Sequence, residues 1–217
     1  MWYNIYVERE KPLRRATRSG GRGRVMASIR KGKIFMNQSY SSASTSINSK
    51  KLPSVYGKIK PSALGCLDLI LDYGAGRYVQ HIREYVHSTA CRADGERPVY
   101  VEYDKYNQSE ETNAVAFNAL MLAECLGHAV AIISSNVLNV IDSDDTVAAI
   151  AEWLDKKAKT GEDIYVTVYE GDKSGVGRQT GADAYQRNLK TREYLRWFSD
   201  RFTVKKGVIT NRPENIK

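Results

Sequence analysis

Leu67, Leu69, Ile70 and Leu71 form a short, nearly continuous apolar run that Asp72 ends. A run without polar alternation predicts a strand buried on both faces of a parallel sheet. Gly74 and Gly76 follow at once, and from Tyr78 to Val86 the apolar positions (Tyr78, Ile82, Tyr85, Val86) take helical spacing. The same change of period recurs down the chain. After a polar loop over Cys91–Pro98, Val99–Asp104 predicts a second strand, again closed by an acid. Glu110–Leu126 predicts a helix with Ala114, Phe117, Leu120 and Met121 on its inner face. His128–Asn136 is a third strand. Asp142–Asp145 then supply caps and negative charge for a helix over Thr146–Lys159, which turns Ile150, Trp153 and Leu154 inward and stops near Gly161. Asp163–Tyr169 predicts a fourth strand, Thr191–Phe202 a helix, and Thr203–Thr210 a closing hairpin. Between Asp104 and Ile132 there is one helix and no clear further strand. Short apolar strands alternating with helices predict an open α/β sheet, mostly parallel, with helices on both faces.

The first 57 residues break this pattern. Trp2–Val7 alternates aromatic and polar positions like a strand, residues 25–37 suit a short hairpin around Lys31-Gly32-Lys33, and residues 39–49 hold six serines, as a linker would. The expected organisation is therefore a basic N-terminal arm with a serine-rich linker over 1–57 and an α/β domain over 58–217. Charge marks the same division. Residues 1–60 carry fourteen lysines and arginines against two acids, a net +12, while the rest of the chain holds nineteen bases and twenty-three acids, a net −4. Such asymmetry predicts a polyanion partner, DNA or RNA, with Arg14, Arg15, Arg18, Arg22 and Arg24 reaching backbone phosphates; the alternative is a solvated basic tail.

No apolar run approaches the ~20 residues of a membrane span, so no membrane is expected. The N-terminus carries no signal-peptide pattern, and Cys66, Cys91 and Cys125 are an odd number without ligand spacing. Reduced, buried thiols in a cytoplasmic protein are expected, and no metal site.

Candidate chemistry gathers where strands end. Two glycines after an apolar strand allow a sharp turn and close approach of a ligand to main-chain N–H groups, the arrangement by which open α/β sheets hold nucleotide-like ligands. Asp104, at the end of the second strand, reads either as an acceptor for ribose hydroxyls or as a turn aspartate. The sequence Asp72-x-Gly74-x-Gly76 resembles the first motif of class I S-adenosylmethionine-dependent methyltransferases, and Ser135-Asn136-Val137-Leu138-Asn139-Val140-Ile141, an acidic cap, a helix and another strand resemble the later part of the same fold. The likeness covers residues ~60–210. It is greatest to uncharacterised methyltransferase-like proteins of bacteriophages, whose shared positions fall here on Pro61, Ser62, Asp72, Gly74, Gly76, Arg77, Tyr78, Tyr103, Asp104, Tyr106, Asn107 and Asn136. The resemblance implies a Rossmann-like open twisted sheet ending in an antiparallel pair. It also implies S-adenosyl-L-methionine as cofactor, bound by Asp72, Tyr73, Gly74, Ala75, Gly76, Arg77, Asp104 and Asn136. If the protein is viral, its compartment is the host cytoplasm.

The fourth strand runs into Tyr169-Glu170-Gly171-Asp172-Lys173-Ser174-Gly175-Val176-Gly177-Arg178. Carboxylates, cations and glycines at a strand's carboxyl end are what an active-site loop needs, although a surface glycine loop has the same composition. Glu170 and Asp172 are the candidate bases, with Asn136 beside them; Lys173, Arg178 and Tyr185 are candidates for holding substrate. The sequence lacks the Asp/Asn-Pro-Pro-Tyr/Phe run of amino-methylating DNA enzymes, so the target atom is not readable. Three readings stay open: a nucleic-acid methyltransferase, a small-molecule or protein methyltransferase, and a non-catalytic methyltransferase fold that binds nucleic acid or a host defence enzyme.

Overall fold

The computed structural model describes residues 39–40, 51–90 and 95–217. The basic stretch with Arg14, Arg15, Arg18, Arg22 and Arg24, and Cys91, lie outside the described residues.

Among the described residues, four strands of five or six residues and four of three or four build the frame. Strands β1 (Leu69–Tyr73), β2 (Val99–Tyr103), β3 (Val130–Ser135) and β4 (Asp163–Thr167) pair in parallel. β5 (Arg178–Gly181) and β6 (Ala184–Gln186) form a separate antiparallel pair. β7 (Thr203–Lys205) and β8 (Val208–Thr210) close the main sheet, β8 running antiparallel beside β4. The strand order is β2-β1-β3-β4-β8-β7, a mostly parallel Rossmann-like α/β sheet with an antiparallel pair at one edge. Among the described residues β2 is the opposite edge, and one helix joins it to β3, as the sequence pattern implies.

The register sorts side chains onto two faces. Ile70 pairs with Tyr100 and Ala131, and this parity faces α1 (Ser54–Lys58), α2 (Pro61–Gly65) and α3 (Gln80–Thr89). That core joins Val55, Tyr56, Ile59, Ile70, Ile82, Val86, Ile133 and Tyr165. It reaches back across the expected boundary at residue 57, because Val55 and Tyr56 are fully buried in it. The other parity faces α4 (Glu110–Leu126) and α5 (Asp144–Thr160). Both helices begin at a serine whose hydroxyl accepts from the third following residue, Ser109 from Thr112 N–H (3.1 Å) and Ser143 from Thr146 N–H (3.2 Å). Both end at a left-handed glycine, Gly127 or Gly161.

Three expectations need correction. Ala116, Leu120 and Ala123 are the buried face of α4, while Met121 and Ala114 are exposed; α4 lies mainly on β2, with no strand beyond it among the described residues to cover its outer flank. Thr191–Trp197 is a 3-10 helix, ended by the extended backbone of Phe198. Cys66 and Cys125 are exposed.

Candidate functional site

The carboxyl ends of β1 to β4 lie side by side, and the glycine turn sits between the ends of β2 and β3. Gly74 (φ 83°) and Gly76 (φ 76°) take the left-handed backbone that glycine alone adopts freely. A Cβ on Gly74 would overlap the Val137 methyl that rests on it from the segment after β3. The turn is tied to the end of β2: Gly74 and Ala75 both donate N–H to the Tyr103 carbonyl (2.7 and 3.1 Å), and Gly76 N–H donates to Asp104 Oδ2 (2.9 Å). Asp104 Oδ1 accepts from the N–H of Tyr106 and of Asn107 (2.9 Å each) and from Asn107 Nδ2 (3.0 Å). Asn113 clamps the Asp104 peptide from α4, accepting its N–H at 2.9 Å and donating to its carbonyl at 3.0 Å. Gln108 Nε2 reaches the Gly76 carbonyl at 2.7 Å. Asp104 is therefore both the turn aspartate and the pin that sets the shape of the glycine loop.

Asp72 and Tyr73 are not placed for ligand contact. Both belong to β1, so alternation sends them to opposite faces of the sheet. The Asp72 carboxylate points into the core, where Oδ2 accepts from Tyr56 Oη (3.1 Å) and Tyr100 Oη (3.0 Å). Burial pushes its pKa up to about 7, against the pull of the two hydroxyls. Tyr73 is buried between Tyr103 and Trp153, each ring centroid 5.1 Å away. Arg77 and Asn136 are exposed at the ends of β1 and β3. Asn136 holds a left-handed backbone (φ 60°) and donates its N–H to the Thr167 carbonyl at 2.8 Å, leaving its side chain free.

The loop after β4 brings Glu170, Asp172, Lys173 and Arg178 together, but as a clamped scaffold. Glu170 Oε1 accepts the N–H (2.7 Å) and hydroxyl (2.8 Å) of Thr191, and Oε2 faces Lys173 Nζ at 3.1 Å. The Thr191 donors, then Lys173, hold the Glu170 carboxyl down at about 2. Such a carboxylate is a poor proton acceptor at neutral pH, so the expected role of Glu170 as base is not supported. Asp172 accepts from Ser174 N–H (3.0 Å) and pairs with Arg178 (3.3 Å), and the Ser174 bonds lower its pKa. Tyr185, on β6, has one ring face covered by Tyr40 at 5.7 Å and 10°.

Residues the sequence reading passed over complete this loop. Asn139 and Gln186, both buried, bond to each other (3.1 Å) and to the Tyr169 peptide. Asn188 Oδ1 lies where a Cβ on Gly171 would go, and Asn188 Nδ2 donates to the Val176 carbonyl at 2.8 Å. The visible signal was Asn139, a polar residue inside Val137-Leu138-Asn139-Val140-Ile141. Among the described residues no group of three or more His, Cys, Asp or Glu is placed to hold a metal ion, and no helix is long and apolar enough to cross a membrane.

S-adenosylmethionine finds a mixed welcome. The N–H groups of Gly74, Ala75 and Gly76 are already satisfied, so the turn offers its methionyl carboxylate no donor there. Asp104 Oδ2 carries one protein hydrogen bond and retains acceptor capacity for a hydroxyl, and Arg77 and Asn136 present free polar groups at the neighbouring strand ends. Compared with protein-family models, curated proteins and solved structures, the chain matches none.

Proposed function

We propose that the chain is an S-adenosylmethionine-dependent methyltransferase acting on nucleic acid at the carboxyl edge of β1 to β4. The observation that carries this reading is the union of a left-handed Gly74/Gly76 turn with Asp104 across two adjacent parallel strands. Ligands of open α/β sheets lie at that edge, where the strand order reverses about β1 and β3. The closing β7–β8 pair agrees with the family resemblance.

In this reading Asp104 Oδ2 would accept a ribose hydroxyl, Arg77 would hold the methionyl carboxylate and the Asn136 amide would orient the acceptor. The cofactor, when bound, supplies an electrophilic methyl on sulfonium. The protein's part is in-line placement of the acceptor, and the clamped 169–172 segment gives that placement a rigid wall. The acceptor class follows from the net +12 of residues 1–60. Calorimetric titration with S-adenosylmethionine, followed by transfer of a radiolabelled methyl group to DNA, RNA and cell extract, tests the proposal. Absence of cofactor binding ends it.

One observation favours a second reading, a methyltransferase fold that binds without catalysis. Val137 rests on Gly74 and the turn amides are satisfied internally, so the turn offers a ligand neither open space over Gly74 nor a free amide donor. Nucleic-acid binding without cofactor binding would select that reading.

A further inference from the structure

Tyr169 stands 63% exposed just past the carboxyl end of β4, and among the described residues its ring stacks on no other. An exposed tyrosine alone means little. What surrounds its backbone is unusual. Its N–H donates to Asn139 Oδ1 (3.4 Å), its carbonyl accepts from Gln186 Nε2 (2.8 Å), and Asn139 Nδ2 donates to Gln186 Oε1 (3.1 Å). Asn139 and Gln186 are 2% and 8% exposed. Arg187 N–H holds the Asn139 carbonyl at 2.9 Å. Two buried amides thus close a hydrogen-bonded ring on the peptide of one solvent-facing aromatic. The next residue, Glu170, is fixed by Thr191. Buried amides kept satisfied by a single exposed residue's backbone fix where that residue's ring leaves the surface, as a ligand platform requires.

Its neighbours say what the platform takes. Asn136, at the end of the adjacent β3, presents a free side-chain amide. Lys190 and Arg192 flank Thr191 and are exposed, and among the described residues neither forms an ion pair; Lys173 and Arg178 are exposed beside Glu170 and Asp172, which they pair. A planar π face, an amide able to donate and accept in one plane, and unpaired cations nearby fit a nucleobase with its phosphate. In a duplex neither face of a base is open to a ring, so the base must be unpaired.

We propose that Tyr169 and Asn136 form a recognition site for an unpaired nucleobase of a single-stranded nucleic acid, with Lys190 and Arg192 on its backbone. The inference rests on the nucleic-acid class proposed above and needs no cofactor. The test uses full-length protein and fluorescence anisotropy with short single strands of DNA and RNA, a duplex of the same sequence, and adenosine monophosphate as competitor. Tyr169→Ala is expected to weaken single-strand binding about 5- to 150-fold with the salt slope unchanged, while Tyr169→Phe retains it. Lys190→Ala with Arg192→Ala is expected to flatten the slope.

Tyr169→Ala binding single strands as wild type does overturns the proposal. So does equal binding of duplex, and so does binding of the mononucleotide but of no oligonucleotide. A calorimetric titration of Tyr169→Ala with S-adenosylmethionine separates the two readings. Lost cofactor affinity with intact strand binding would move Tyr169 to the cofactor and overturn this inference alone. A wild-type protein that ignores the cofactor but shows the Tyr169 effect would remove the methyltransferase reading and leave the base site standing.

Discussion

Replacing Asp72 with asparagine should stabilise the protein at neutral and alkaline pH while leaving it unchanged or weaker in acid. The carboxyl is 2% exposed, and the groups facing it are Tyr56, Tyr100, Glu102 and Asp104; Glu102 is engaged by Arg83 at 2.5 Å. Burial raises the folded-state pKa to about 7 from the ordinary aspartate value of 3.8. Below the lower value both states hold the proton and nothing is gained or lost. Between the two values the unfolded chain ionises first, so stability falls with rising pH by about 1.4 kcal/mol per pH unit. The accumulated loss is roughly 4 kcal/mol, complete just above the folded value. Both tyrosines donate to the same oxygen, Oδ2, so an asparagine carbonyl keeps both hydrogen bonds. Its NH2 replaces Oδ1 and, unpaired, costs about 1–3 kcal/mol. The variant should therefore gain roughly 1–3 kcal/mol at about pH 8 and lose a similar amount at about pH 4. Urea denaturation of both proteins across this range measures the difference directly, and the oppositely shifted Glu170 and Asp172 cancel in it. A stability difference that does not change with pH would refute the reasoning.

Three further outcomes follow from the same geometry. Gly74→Ala should unfold the turn or weaken the fold by several kcal/mol; adding Val137→Ala relieves the overlap but leaves about 1–2 kcal/mol of left-handed strain, so thermal denaturation should show partial rescue. Asp104→Ala removes the acceptor of Gly76 N–H and of the Tyr106 and Asn107 amides and should lower stability by about 1–3 kcal/mol, together with any affinity for S-adenosylmethionine in calorimetry. Glu170→Gln should lower the melting temperature by loosening the Thr191 contacts, without producing the pH-dependent rate loss that removal of a base gives.

The alternation of strands and helices was legible because each element buries enough apolar surface to impose a period. β1 and β3 each open on an apolar run, Leu69–Leu71 and Val130–Ile133, and α4 and α5 carry serine caps and terminal glycines that mark their ends. Five-residue helices escape this kind of reading. α1 and α2 are each a turn long, and only Pro61 at the start of α2 leaves a mark. Thr191–Phe202 has helical spacing, yet the segment is held by Thr191 on Glu170 and by the Phe198–Phe202 contact at 4.9 Å, which fold it as a 3-10 turn and a bend. Tertiary contacts outweighed local period there.

The candidate site was legible in place and illegible in direction. The acids and glycines read at strand ends fall at the carboxyl edge of the sheet, but whether a carboxylate faces that edge or the core turns on one residue of register. Asp72 lies one position inside the strand and so faces the α1–α3 core, while Asp104 lies one position beyond β2 and so organises the turn. The carboxylates of the loop after β4 were read as chemistry because loop clamps and general bases use the same residue types. Their environment separates them: Glu170 and Asp172 receive hydrogen bonds from Thr191 and Ser174 that stabilise the ionised form, while the carboxyl raised toward neutrality, Asp72, is sealed in the core. None of these three is therefore suited to take a proton from an acceptor at the edge. Under the proposed function, a target at this edge would lose its proton to a group other than these three or direct a lone pair through hydrogen bonding, and Asn136 has the free amide for that second role. On that same proposed function, the chemistry of the edge thus favours an amino group or ring nitrogen over an alcohol hydroxyl, which needs a base at the moment of attack.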